Sequence, residues 1–215
     1  MTQAEPVGGF DVGERLRTSV LLQPRPELGT LMVRGADRQS WLNGLVTCDL
    51  VSCRAGDGAY GLCVSKVGKI LAELWIAFRD DALALAVRRD LLASVFQHLE
   101  RHVIMENIEI LDDSANCSWL FAYGHGAAGL VPSCQQANAF SASLDWTGLG
   151  GVVVGAPPEH AQALEQQFLQ QAPTARTLTP DAWDALRIEA GIPEWGDDFN
   201  GDNYPQEASL ERRAV

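Results

Sequence analysis

Apolar and polar positions alternate in short runs along this chain, and stripes at helical spacing lie between them. Residues 30–34 (Thr-Leu-Met-Val-Arg) read as a strand that Gly35 turns. A helix over 36–45 follows. Asp37 lies near its start, where a carboxylate offsets exposed N–H groups, and Trp41, Leu42 and Leu45 share one face. Residues 59–65 and 70–78 alternate as paired strands, and 82–87 is a third. A helix over 89–102 turns Leu91, Leu92, Val95, Phe96 and Leu99 inward, and 103–111 returns as a strand.

A second round begins at 117–123 with a strand. It continues through a short helix over 125–134, strands near 139–144 and 151–154, and a helix over 158–170 with Glu159 in its first turn. The last helix, 181–190, starts at Thr179-Pro180, and Pro is tolerated in a first turn. Strands and helices interspersed with hairpins predict an α+β fold with largely antiparallel sheets rather than βαβ winding. Residues 1–29, with Gly8-Gly9, Pro24 and Pro26, read as an extended lead-in that pairs at one sheet edge. The expected division is this lead-in, a first lobe over 30–114 and a second over 115–215.

Composition narrows the function classes. The net charge is −12 and the sequence pI about 4.6, which argues against a nucleic-acid face or an anionic membrane surface. No apolar run approaches the roughly 18–20 residues of a membrane span. The opening Met-Thr-Gln-Ala-Glu-Pro has neither the basic nor the apolar part of a secretory signal, so a cytoplasmic location is expected. Five Cys, an odd number without a Cys-x-x-Cys pair, read as free thiols of a reducing compartment. His98 and His102 flank Glu100 as H-x-E-x-H, which turns the Glu away from both rings, so no metal site is expected.

Lys66 and Lys69, the only lysines, sit together at the turn of the 59–78 hairpin. They form either a solvated tip or a small positive patch for an anionic group. Thr47 and Asp49 follow the first helix and either make turn hydrogen bonds or approach a ligand. Near the C-terminus, Arg187-Ile188-Glu189-Ala190-Gly191-Ile192-Pro193-Glu194-Trp195-Gly196-Asp197-Asp198 ends a helix. Gly191 can take the left-handed conformation and Pro193 stops the helix. An irregular segment then leads to Tyr204-Pro205-Gln206-Glu207.

This last stretch resembles the signature of the folate-binding domain of the aminomethyltransferase (glycine-cleavage T-protein) superfamily, which includes the YgfZ-like proteins. Trp195 and Glu207 stand 12 residues apart, as in that family. Trp41-Leu42-Asn43-Gly44 with Thr47 and Asp49, and Gly58-Ala59-Tyr60 with Gly68-Lys69-Ile70-Leu71-Ala72-Glu73-Leu74, resemble two further family segments. The resemblance covers roughly residues 30–215. It implies two ferredoxin-like α/β lobes around a central channel, and tetrahydrofolate or a derivative as cofactor. By the resemblance, Glu207 grips the pterin ring through two parallel N–H bonds. It sets Trp195 and Tyr60 against the ligand's rings, Glu73 near the folate nitrogens, Thr47 and Asp49 close by, and Lys66 or Lys69 near the glutamate tail.

Two departures mark this chain. Where the aminomethyltransferases carry a catalytic Asp-Asp, Ala72 and Glu73 stand here, which leaves Glu73 as the candidate catalytic carboxylate. The N-terminal Asp-Val-Ser element of those enzymes has no counterpart. Both lean toward the YgfZ-like branch. Its Lys-Gly-Cys-Tyr-x-Gly-Gln-Glu motif is expected just beyond Val215, together with a C-terminal barrel that this chain lacks. The resemblance therefore implies a tetrahydrofolate-binding protein supporting iron–sulfur cluster assembly or repair and tRNA modification, with iron–sulfur enzymes or assembly proteins as partners. The alternatives are a folate-dependent aminomethyltransferase and a non-enzymatic partner module with a vestigial site.

Overall fold

The computed structural model describes residues 19–136, 139–148 and 150–214. Gly8-Gly9 of the expected lead-in lie outside the described residues. Two five-stranded sheets pack face to face, and helices cover both outer sides. One sheet orders as β3 (Gly58–Val64), β4 (Ile70–Phe78), β5 (Ala82–Arg88), β2 (Leu28–Arg34) and β6 (Glu109–Asp112), all antiparallel. The other orders as β10 (Arg176–Thr177), β1 (Leu21–Arg25), β7 (Ser118–Tyr123), β9 (Gly151–Ala156) and β8 (Phe140–Ser143), with only the β1–β10 pair parallel. The α+β expectation with mostly antiparallel sheets holds, and the described residues form no closed barrel.

Successive strand residues point to opposite faces, so each strand serves two cores. Leu31, Val33, Leu74, Ile76, Leu83 and Leu85 face α1 (Arg38–Asn43) and α2 (Arg89–Glu100). Leu22, Leu120, Val152 and Val154 face a 3₁₀ turn (His125–Leu130), α3 (Val131–Gln136) and α4 (Pro158–Gln171). Between the sheets lie Met32, Tyr60, Trp75, Trp119, Phe121, Tyr123 and Val153. Trp119 donates its indole N–H across this layer to Thr30 Oγ1 at 2.8 Å, which fixes one sheet against the other. The final helix, α5 (Pro180–Glu189), and the segment after it close one side of the layer with Trp183, Leu186, Ile192, Phe199, Leu210 and Ala214.

Three elements differ from expectation. The lead-in is not an edge: β1 runs inside the second sheet, flanked by β7 and β10. Pro24 is tolerated because β10 pairs only with Leu21 and Leu22, so the strand has one neighbour at Pro24. The return strand after α2 shortens to Glu109–Asp112, because Glu106 accepts the N–H groups of Ile104 and Met105 and holds that stretch as a loop. α1 spans only Arg38–Asn43, and Asp37 accepts from Asn107 N at 2.8 Å instead of capping the helix. The α5 expectations hold: Thr179 caps Ala182 N at 3.2 Å, Pro180 follows, and Gly191 has φ +62°.

Gly35 makes the turn from β2 into α1 at φ +107°. A Cβ there would lie 1.8 Å from the Asn107 carbonyl oxygen. Gly35→Ala is expected to lose more than about 2 kcal/mol in urea unfolding, from left-handed strain plus a backbone clash. An unchanged midpoint would show that the 101–108 loop gives way freely.

Candidate functional site

Alternation along β4 divides its residues between two chemistries. Ala72, Leu74 and Ile76 join the helix-side core, while Glu73 and Trp75 face the second sheet. Tyr60 pairs with Trp75 in the β3–β4 register and lies diagonal to Glu73. Its hydroxyl donates to Glu73 Oε1 at 2.5 Å. Glu73 is 6% exposed. Burial pushes its carboxyl up to about 7, and the nearby Glu194 adds to this, while the Tyr60 hydrogen bond and Arg25 pull it down. Burial first, and then Glu73, hold the Tyr60 phenol well above its ordinary range.

Aromatic rings surround the pair. Trp146, on the loop between β8 and β9, packs 5.1 Å from Tyr60 and 5.7 Å from Trp75 by ring centres. Tyr123 stacks on Trp183 at 5.3 Å. Arg25, 4% exposed, projects from β1 with its guanidinium 5.0 Å from both the Trp75 and Phe121 rings. Its Nε donates to Glu27. Among the described residues, Arg25 Nη1, Trp75 Nε1 and Trp146 Nε1 are buried without an acceptor.

A cleft of about 410 Å³ adjoins this cluster, bounded in part by Gln23, Glu27, Thr179, Trp183, Glu194 and Asp197. Several of its walls touch the cluster directly: Gln23 accepts from the Tyr123 hydroxyl at 2.6 Å, and Glu27 pairs with Arg25. Glu194 is positioned by Trp183 Nε1 at 2.9 Å, and its own N–H donates to Asp198. Arg187, buried at the end of α5, holds Asp184 at 2.7 Å and Asp198 at 2.5 Å, which fixes the loop that carries Glu194 and Trp195.

The structure brings Tyr60 and Glu73 together and sets the other expected residues elsewhere. Glu207 is exposed, and its carboxylate accepts from Tyr204 N at 2.8 Å in a local turn. That turn lies against the β3–β4 hairpin tip, where Lys69 pairs with Asp202 at 3.6 Å and Ile70 N donates to Asn203 O. Lys66 is exposed at the same tip. Trp195 is half-buried against Phe199, 5.5 Å away. Thr47 accepts from Leu62 N at 2.9 Å and donates to the Ala214 carbonyl, so it ties the C-terminal segment to β3. Asp49 is exposed and accepts from Val51 N in a turn. The His98 and His102 rings lie 4.7 Å apart. Among the described residues no group of three His, Cys, Asp or Glu is placed to hold a metal ion.

Four site residues escaped the sequence reading: Arg25, Trp75, Trp146 and Glu194. Trp75 was within reach, since it stands two residues from Glu73 on a strand and shares its face. Arg25 and Trp146 come from a segment and a loop that carry no local signal.

The geometry is that of an α+β domain with a buried carboxylate between two sheets. No family model matches the sequence. Curated relatives do. An aminomethyltransferase of Synechococcus sp. (strain CC9311) is 26% identical over 215 residues, covering 85% of this chain and 57% of the relative. That of Synechococcus elongatus is 29% identical over 209 residues, with 85% and 55% covered. The tRNA-modifying protein YgfZ of Sodalis glossinidius is 28% identical over 190 residues, with 83% and 57% covered. The chain thus spans a little over half the length of these relatives. The crystal structure of glycine cleavage system aminomethyltransferase T from Bartonella henselae shares the fold, with a TM-score of 0.76 at 19% identity over 94% of this chain and 60% of that one. Along most of its length the chain is similar to aminomethyltransferases and to a tRNA-modifying protein YgfZ.

Glu73 makes stability depend on pH. Its folded-state value near 7 exceeds the ordinary 4.5, so the folded protein keeps a proton that the unfolded chain releases. Stability is full below about pH 4.5 and falls as pH rises through 7, by about 3 kcal/mol at most. Glu73→Gln is therefore expected to melt above the parent at pH 8, with the gap closing below pH 5. A gap independent of pH would contradict a titrating buried carboxyl.

Proposed function

We propose that this chain binds a reduced folate through the cluster around Glu73. The carrying observation is a carboxylate between the two sheets, bonded to Tyr60 and bordered by N–H donors that lack acceptors. The chemistry of these residues suits the group. A carboxylate accepts paired N–H bonds from an aminopyrimidine edge, indole rings offer flat apolar contact, and the adjoining cleft has the volume of small-molecule sites. Tetrahydrofolate, when bound, supplies one-carbon carrier chemistry. Glu73 would accept the ring N–H groups, Tyr60 would orient Glu73, and the indoles would exclude water. In this reading Glu73 takes the role that the resemblance gives to Glu207, and Glu207 holds the turn at the hairpin tip. Lys66 and Lys69 at that tip remain the candidates for the glutamate tail, with Trp195, Thr47 and Asp49 as supports of the fold around the site.

Support of iron–sulfur enzymes and tRNA modification is the biological role proposed for such a binding protein, in a cytoplasmic setting, on the strength of the YgfZ relative. The aminomethyltransferase reading rests on one specific feature. Position 72 faces the helices, so the Ala72 departure removes no group from the inter-sheet face, and the facing position keeps its carboxylate as Glu73. Turnover with an aminomethyl donor distinguishes this reading from binding alone, and a folded chain without folate affinity would mark a vestigial site.

Calorimetric titration with 5-formyl-tetrahydrofolate tests the proposal. Saturable micromolar binding is expected. Glu73→Gln should weaken it by about 30-fold or more, and Glu207→Ala by less than about threefold. Below pH 7 binding should release a proton, because Glu73 must ionise to accept the ring N–H groups. Loss of affinity in Glu207→Ala with none in Glu73→Gln would move the site to the hairpin tip.

A further inference from the structure

A second cleft, of about 530 Å³, opens between β8 and the β4–β5 turn, at the end of β4 away from the β3–β4 hairpin tip. β8 is the edge of its sheet, with only β9 beside it. The backbone of an antiparallel strand turns alternately toward its partner and away from it. Leu144 N donates to Gly151 O on the β9 side at 3.1 Å, so residues 139, 141 and 143 turn their N–H and C=O groups to the free side. This chain itself meets two of the three. Ala139 N donates to Cys134 O at 2.9 Å. Ser143 N donates to Gly56 O at 2.8 Å, and Asp57 forms a parallel bridge with Ser143. Among the described residues, the Ser141 backbone has no partner on that side, and the cleft lies against it. The gap is one position in a ladder that residues 56–57 have already begun.

We infer that this gap is a docking site for an extended, basic peptide segment of a partner protein. The segment continues the sheet edge at Ser141, accepting from its N–H and donating to its carbonyl, as strand addition does at open edges. Two observations set the peptide's chemistry. Phe78, Val131 and Phe140 give the cleft an apolar wall, so one apolar side chain of the peptide belongs there. That wall is fixed: Trp119 packs edge-on 5.5 Å from Phe140, and the Arg79 guanidinium lies 4.7 Å from the same ring. The rim is acidic. Asp80 and Asp81 are exposed, Arg79 is the one cation among the lining residues, and it already pairs with Asp81 at 3.4 Å. Lys or Arg beside the apolar residue therefore complements the rim. The inference is independent of the folate reading, because the cleft shares no residue with the Glu73 cluster.

A displayed library of random heptapeptides, panned against the parent chain, tests this. The enriched peptides should carry an apolar residue flanked by Lys or Arg, and a synthetic consensus heptapeptide should bind saturably by fluorescence anisotropy. Ser141→Pro removes the N–H at a place where strands accept proline, and should weaken that peptide about tenfold or more. Ser141→Ala keeps the backbone and should change binding less than about twofold. Replacing both rim carboxylates, Asp80→Asn with Asp81→Asn, should weaken it about fivefold with the melting temperature unchanged, and this pair decides the matter if Ser141→Pro does not fold. A library that enriches no such peptide overturns the inference. So do equal effects of Pro and Ala at 141, or full binding by the rim variant. Titration with 5-formyl-tetrahydrofolate should be the same for all these variants, so the folate reading stands or falls separately.

Discussion

Tyr60 donates to Glu73 between two sheets, and that contact sets the terms for the rest of the molecule. A carboxyl held at 6% exposure is costly unless something stabilises it. Here one phenol and a nearby guanidinium offset only part of the desolvation, which is why the group titrates near neutrality instead of near 4.5. Packing elsewhere has to hold it there. The Trp119–Thr30 bond joins the two sheets, and the helix-side cores fix each sheet from behind. Arg187 and Arg213 pin the closing segments on the open side. Strain of this kind, a raised carboxyl beside unmet donors, gathers where a ligand completes the hydrogen bonding.

The same arrangement separates the two positions at which this chain departs from or keeps a carboxylate. Adjacent positions on a strand look into different layers. A substitution at position 72 alters the helix-side core, and one at 73 alters the site. Loss of a carboxylate from the first therefore says little about chemistry between the sheets. The charge of the cleft points the same way. Glu27, Glu194 and Asp197 on its walls favour a ligand edge rich in N–H groups over an anionic one, and an anionic tail would have to lie toward Lys66 and Lys69 instead.

The sequence by itself determined the element types and most of their limits, because period-2 alternation and helical stripes are local properties of the chain. It determined the stop at Gly191-Ile192-Pro193 and the start at Thr179-Pro180, where backbone stereochemistry leaves little choice. It also singled out Tyr60 and Glu73, through the motif around the 59–78 hairpin. Only the tertiary structure decided that β1 belongs inside the second sheet, since its partners at 118–123 and 176–177 are distant in sequence. Only it placed Glu207 in an exposed turn, because side-chain burial there depends on how the last segment lies over the hairpin tip. And only it gathered Arg25, Trp75 and Trp146 around Glu73. Each of the three sits in an ordinary local pattern, and what sets them apart is that Arg25 Nη1, Trp75 Nε1 and Trp146 Nε1 end buried without a hydrogen-bond partner, which no pattern along the chain records.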